Sequence, residues 1–198
     1  MHTVRSAGPA DAPELMRLRR LMFEAMNGHA RPGPWERTGA ELVRSMLAAG
    51  PAESSAPRLG AFVVDAQTGT GLAACAVGTV EQRLPAPSHP TGRFGFVFNV
   101  CTDPAYRGRG YARATTEALL RWFADQGVTR VDLHATTEAE GMYRAMGFAE
   151  HSTALSLDVP RWAAQPPSPS STTAPGSAAS ASPGTSSLPR RFPLPTTT

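Results

Sequence analysis

RFGFVFNVCT (93–102), DPAYRGRG (103–110) and YARATTEALLRWFAD (111–125) follow one another without a gap. The first piece is apolar on both faces: Phe94, Phe96, Phe98 and Val100 alternate on one side, Val97 and Cys101 on the other. A strand with two apolar faces belongs in the middle of a sheet covered on both sides. The third piece predicts a helix, with Ala112, Thr116, Leu119, Leu120 and Phe123 on one stripe. Between them lies a glycine-rich turn that opens the helix. The first turn of a helix has backbone N–H groups without partners and carries the positive end of the helix dipole. Gly108 and Gly110 let the backbone approach an anion closely, and Arg107 and Arg109 add charge. This is the physical outline of a phosphate or pyrophosphate site.

Two common phosphate loops do not fit. A Rossmann fingerprint needs a third glycine or alanine where Arg113 stands, and a P-loop needs a lysine, of which the chain has none. The pattern met is Arg-x-x-Gly-x-Gly/Ala, by Arg107, Gly110 and Ala112. A second pattern, Ala139-x-x-Met142-Tyr143-x-x-x-Gly147-Phe148, follows the next predicted strand, and Arg121–Val128 (RWFADQGV) ends a helix in Gly-Val. With these motifs in this order over residues 3–159, the sequence resembles the GNAT superfamily of acyl-CoA-dependent N-acyltransferases.

The resemblance implies a mixed, largely antiparallel sheet with a splayed central strand pair and helices on both faces. It also implies acetyl-CoA as co-substrate. The pyrophosphate would lie on Arg107, Gly108, Arg109, Gly110, Tyr111 and Ala112, and the pantetheine arm along Val100, Cys101 and Thr102, reaching Thr136 and Tyr143. An acceptor amine would attack the thioester directly. A backbone N–H of Val100–Thr102 would stabilise the oxyanion, and Tyr143 would act as general acid toward the departing thiolate. The sequence departs from the family twice. Asn99 occupies the strand where many members carry an acid, and it could orient a water but takes no proton. Thr136 replaces an asparagine. The general base stays open among Glu81, His134 and Glu24. These departures also motivate an alternative, a GNAT-fold CoA-binding or regulatory module without turnover.

Outward from the central segment, the chain reads as βααβββαβαβ. Strand 3–6 precedes a helix with Asp11 as N-cap, Pro13 and Glu14 in the first turn and Leu15, Leu18, Met22 and Met26 on one face. Asn27-Gly28 stops it, and a second helix spans 35–49. Strands over 58–65 and 72–84 form a hairpin. After the central strand and helix come a strand over 128–136, a helix over 138–146 and a last strand over 154–159. The strand–helix–strand unit around 94–135 requires a right-handed crossover, so the fold is mixed α/β.

Composition bounds the rest. All 19 basic residues are arginine, against 16 acids. From Ala163 to Thr198, 28 of 36 residues are Pro, Ser, Thr or Ala, and no acid occurs. Such a segment buries too little apolar surface to offset its ordering entropy. Two parts are therefore expected: a catalytic domain over 1–162 and a disordered tail over 163–198. The domain holds 17 arginines against the 16 acids, a net of +1. No basic stripe with interleaved aromatics marks a nucleic-acid partner. No run of 18 apolar residues marks a membrane span, and no signal peptide is read at the start. Cys75 and Cys101 make neither a disulfide framework nor a zinc pattern, so no metal is expected. A cytoplasmic protein, monomer or homodimer, acting on a small-molecule or peptide amine, is the expectation. Met16, Met22, Met26 and Met46 read as helix-core residues that could also wall an acceptor pocket.

Overall fold

The structure is a computed structural model, and it describes residues 3–49, 58–67, 70–151, 155–157 and 159–163. Five strands form one sheet in the order β1-β2-β3-β4-β5. They are β1 (Val4–Ser6), β2 (Arg58–Asp65), β3 (Leu72–Gln82), β4 (Arg93–Thr102) and β5 (Arg130–Leu133). All neighbours are antiparallel except β4 and β5, which run parallel. The helices are α1 (Ala12–Asn27), α2 (Pro34–Ala48), α3 (Tyr111–Asp125) and α4 (Thr137–Arg144). Helix α3 is the crossover between β4 and β5, as the parallel pair requires.

The sheet is covered on both faces. On one, Leu15 and Leu18 of α1 pack on Val63, Cys75, Val77 and Cys101, with Val43 and Leu47 of α2 alongside. On the other, Leu119 and Phe123 of α3 pack on Ala76 and Val97. Gly60 and Gly78 keep that second face flat enough for α3. A Cβ at Gly60 would lie 2.5 Å from Trp122, and one at Gly78 would lie 2.7 Å from the Phe96 carbonyl oxygen and 2.8 Å from Phe123.

The alternation read from β4 is broken by a bulge. Val77 pairs with Asn99 but Gly78 pairs with Val97, so Phe98 is the extra residue. An inserted residue reverses the facing of everything beyond it. Val97 and Val100, expected on opposite faces, therefore both pack with the α3 cluster, whereas Cys101 joins the α1 cluster.

Helix α1 begins where expected, but Asp11 does not cap it through its side chain. Its carboxylate accepts instead from the Gly8 N–H at 2.8 Å and from Arg5 at 2.7 Å. Gly28, at φ 74°, ends α1 in the left-handed conformation expected of Asn27-Gly28. The described residues of the expected last strand over 154–159 are not in a strand. Leu155–Leu157 have no regular structure and Val159 starts a short helix, α5 (Val159–Ala163); Ala154 and Asp158 lie outside the described residues. The chain divides into two units, 1–150 and 151–198, and α5 belongs to the second. The expected tail over 163–198 lies outside the described residues except for Ala163.

Candidate active site

β4 is ten residues long and β5 only four, and their pairing runs from Phe94↔Arg130 to Val97↔Leu133. Beyond that point β4 continues from Phe98 to Thr102 with no β5 residue beside it. A strand edge released in this way presents N–H and C=O groups to an extended ligand. A cleft of about 730 Å³ opens along this edge. Val100, Cys101 and Thr102 form one wall, the 106–113 turn and start of α3 a second, and Thr136 to Tyr143 a third; Met22, Ala25 and Met26 of α1 close it.

The glycine turn is anchored from behind. Asp103 accepts from the Ala105 N–H at 3.0 Å and from Arg17 at 2.6 Å. Arg17 also donates to Glu14 and to the Leu72 carbonyl, and Glu14 accepts from the Leu72 N–H. Helix α1, the start of β3 and the turn are thus tied by one ionic cluster. Burial raises the Asp103 pKa, but the bonds from Arg17 and Ala105 and the charges of Arg17 and Arg107 outweigh it and hold the carboxyl below the usual range. Gly108 and Gly110 take φ 74° and 77°, and Gly110 is the N-cap of α3. A Cβ on either would meet nothing within 4 Å, so it is the left-handed backbone, not crowding, that favours glycine there. The α3 N-terminus, with no side chain capping it, opens on the cleft. Among the described residues the Arg107 guanidinium has no hydrogen bond or ion pair, and Arg107 too lines the cleft. These features suit an anion.

Of the twelve residues singled out from the sequence, ten line this cleft: Val100, Cys101, Thr102, Arg107, Gly108, Gly110, Tyr111, Ala112, Thr136 and Tyr143. Two stand apart. Arg109 turns to Gln67 at 3.0 Å and over the Tyr106 ring at 5.3 Å. Asn99 is 1% exposed and points into the α1 face of the sheet. Its Oδ1 accepts from Arg19 at 3.3 Å and its Nδ2 donates to the Cys75 sulfur at 3.3 Å. An amide so engaged is not free to orient a cleft water.

Tyr143 is buried, edge-on to Phe148 at 5.7 Å, and burial pushes its hydroxyl pKa up. That hydroxyl has no hydrogen-bond partner among the described residues. Thr102 Oγ1 is also buried and unpartnered on the cleft wall. Two unsatisfied hydroxyls in one cleft suit a polar ligand. Cys101 is a poor nucleophile, because burial pushes its thiol up to about 11; Cys75 is pushed to about 12. Of the three candidate bases, Glu81 is paired with Arg83 at 2.7 Å. Glu24 is exposed and does not line the cleft. His134 follows Leu133 directly and lies edge-on to Phe96 at 5.6 Å, where the two strands part. Among the described residues no cluster of three His, Cys, Asp or Glu could hold a metal, and no helix is long and apolar enough to cross a membrane.

Met22 and Met26 prove to be cleft residues, whereas Met16 packs in the core with Ala12 and Ala40. The sequence reading passed over Arg19, whose surroundings depend on the bulge at Phe98.

The family model for GNAT acetyltransferases matches residues 15–148. Glucosamine 6-phosphate N-acetyltransferase 1 of Oryza sativa subsp. japonica is 34% identical over 93 residues, 47% of this chain and 54% of that protein. The chain spans about half the length of the curated relatives it matches. Among solved structures, a predicted acetyltransferase with acetyl-CoA from Clostridium acetobutylicum is similar in fold at TM-score 0.67 and 20% identity, covering 81% of this chain and 98% of that one. A GCN5-related N-acetyltransferase from Ralstonia eutropha JMP134 follows at TM-score 0.62 and 23% identity, covering 80% and 99%.

Proposed function

Since the chain belongs to the GNAT family of acetyltransferases, we propose that it moves an acetyl group from acetyl-CoA to a primary amine. The observation that carries this reading is the convergence on one cleft of the open edge of β4, the α3 N-terminus and Tyr143. The pyrophosphate would be held by the first-turn N–H groups of α3 and by Arg107. The pantetheine amides would pair with the free edge of Phe98–Thr102.

In the reaction a neutral amine nitrogen forms a bond to the acetyl carbonyl carbon, and the carbon–sulfur bond breaks. An N–H of the open β4 edge supports the negative charge that develops on the carbonyl oxygen. Tyr143, kept protonated by burial, supplies the proton that the departing sulfur needs. None of Glu24, Glu81 and His134 lines the cleft, so the proton that the amine nitrogen sheds passes to water. We assign the fold's catalytic part to residues 1–162 and treat the oligomeric state as monomer or homodimer.

The test is incubation with acetyl-CoA and a panel of amines while free thiol and acetylated product are followed together. Amine-dependent thiol release is expected. Tight acetyl-CoA binding with no acetylated product from any amine would favour a CoA-binding module without turnover. No acetyl-CoA binding by the folded protein would overturn both.

A further inference from the structure

Five arginines among the described residues are partly buried: Arg5, Arg17, Arg19, Arg20 and Arg130. Four of them are ion-paired: Arg5 with Asp11, Arg17 with Glu14, Arg20 with Glu36 and Arg130 with Asp132. Arg19 has no carboxylate partner among the described residues. Its guanidinium stacks 4.7 Å from the Phe23 ring and 5.7 Å from the Phe98 ring, and one nitrogen donates to Asn99 Oδ1 at 3.3 Å. A guanidinium has five N–H donors in a planar fork, so most of this one's capacity is unused. Taking a cation partly out of water without a counter-charge costs free energy, and burial lowers the Arg19 pKa accordingly. The two rings repay part of that cost. They do not use the fork.

The position matters as much as the missing partner. Arg19 lies one helical turn before Met22, and Phe98 two residues before Val100; Met22 and Val100 both line the cleft. Arg19 does not itself line the cleft, but through Asn99 and Phe98 it borders the stretch of β4 that leads into it, on the α1 face. Phe98 and Trp35 are each 37% exposed there, and Trp35 lies edge-on to Phe23 at 6.1 Å. A half-buried cation thus lies against accessible aromatic surface next to the residues that wall the cleft.

We infer that Arg19 is a specificity-determining residue that binds an anionic group of the acceptor, so that the substrate is a primary amine carrying a carboxylate or a phosphate. The planar fork matches both anions in bidentate fashion. This inference rests on the acetyl-transfer reading for its setting, but its binding test does not need turnover.

The experiment uses matched probes: phenylalanine against phenethylamine, and O-phosphoethanolamine against ethanolamine. Affinity of each for the CoA-saturated full chain is measured by calorimetry, and KM and kcat where acetylation occurs. In each pair the anionic member is expected to bind on the order of tenfold tighter or more, as a charge-assisted bidentate pair should. Which pair shows the larger gap tells carboxylate from phosphate. Arg19→Met, which keeps the aliphatic stem between the rings, should abolish the preference through KM with little change in kcat or acetyl-CoA affinity. Arg19→Lys should restore part of it. Equal binding within both pairs, or a preference that survives Arg19→Met, would overturn the assignment. If no probe is acetylated, the calorimetry still decides the role of Arg19, and the transfer reading stands or falls separately on the wider amine panel. Circular dichroism on both variants separates loss of the site from loss of the fold.

Discussion

Val97 pairs with Leu133, and that pair closes the parallel ladder between β4 and β5. One residue later the bulge at Phe98 turns the β4 facing over. The two events are adjacent, so the strand changes both its partner and its orientation at a single point. Below it Val97 packs in the α3 core; above it the backbone lines a cleft. The α3 N-terminus enters that cleft because the strand leading to it ends there, at Thr102.

The glycine turn gives the sharpest variant pair. Gly110 caps α3 at φ 77° with open space where a Cβ would point. Asparagine and aspartate tolerate that backbone alike and differ in charge. Gly110→Asp should weaken acetyl-CoA at least about tenfold relative to Gly110→Asn, since a carboxylate would face the phosphate-binding end of α3. Calorimetric titration of both variants measures it. Equal affinities would mean that the turn does not meet an anion.

Tyr143→Phe should lower kcat while leaving the KM for acetyl-CoA close to its original value. The hydroxyl makes no hydrogen bond within the described residues, so its removal should not reduce the melting temperature. Burial raises the tyrosine pKa, which moves loss of the acid form above its ordinary value of about 10. The alkaline limb of the rate profile below that pH must then have another origin, and it should persist in the variant's residual activity. A fall in stability together with unchanged kcat would make Tyr143 a packing residue only.

Two glycine-to-alanine changes should have opposite signs. Gly78 faces the fixed carbonyl of Phe96 at 2.7 Å from a built Cβ, with Phe123 at 2.8 Å. Overpacking of this kind costs about 1–3 kcal/mol. Gly141 lies inside α4 with nothing within 4 Å of a Cβ, so alanine there should stabilise by roughly 0.5–1 kcal/mol. Urea unfolding of the two variants reads both effects. Gly78→Ala without loss would mean that both the β4 backbone at Phe96 and the Phe123 ring give way there.

The glycine turn, the helix it opens and the central strand were legible because each is a local pattern: a two-faced apolar run, paired glycines, a stripe at helical spacing. The bulge at Phe98 was not, since one inserted residue leaves the run apolar throughout and only pairing with Val77 and Gly78 exposes it. The surroundings of Asn99 are hidden for the same reason. Its alternation gave no sign that the amide is spent on Arg19 and Cys75, which lie 80 and 24 residues away in sequence. The predicted strand over 154–159 alternates Leu155 and Leu157, yet both are exposed, at 91% and 66%. Alternation over so few residues does not by itself make a strand.

Acid stability should depend on Arg5. Its guanidinium donates to Asp11 at 2.7 Å and to Asp65 at 2.6 Å, tying β1 to the start of α1 and the end of β2. Those bonds hold both carboxyls below the usual range. A carboxyl with a depressed folded-state pKa contributes stability that is fully present above its unfolded value, near 4. The contribution is lost as pH falls through the folded value. Arg5→Met should therefore cost about 1 kcal/mol at pH 7, a figure kept low because Arg5 and Asp65 are 39% and 58% exposed. The gap between variant and parent should narrow steadily from pH 5 to pH 2 as both carboxyls protonate in both proteins. Urea midpoints across that range measure it. A gap that stays constant with pH would assign the effect of Arg5 to packing of its stem rather than to the two ion pairs.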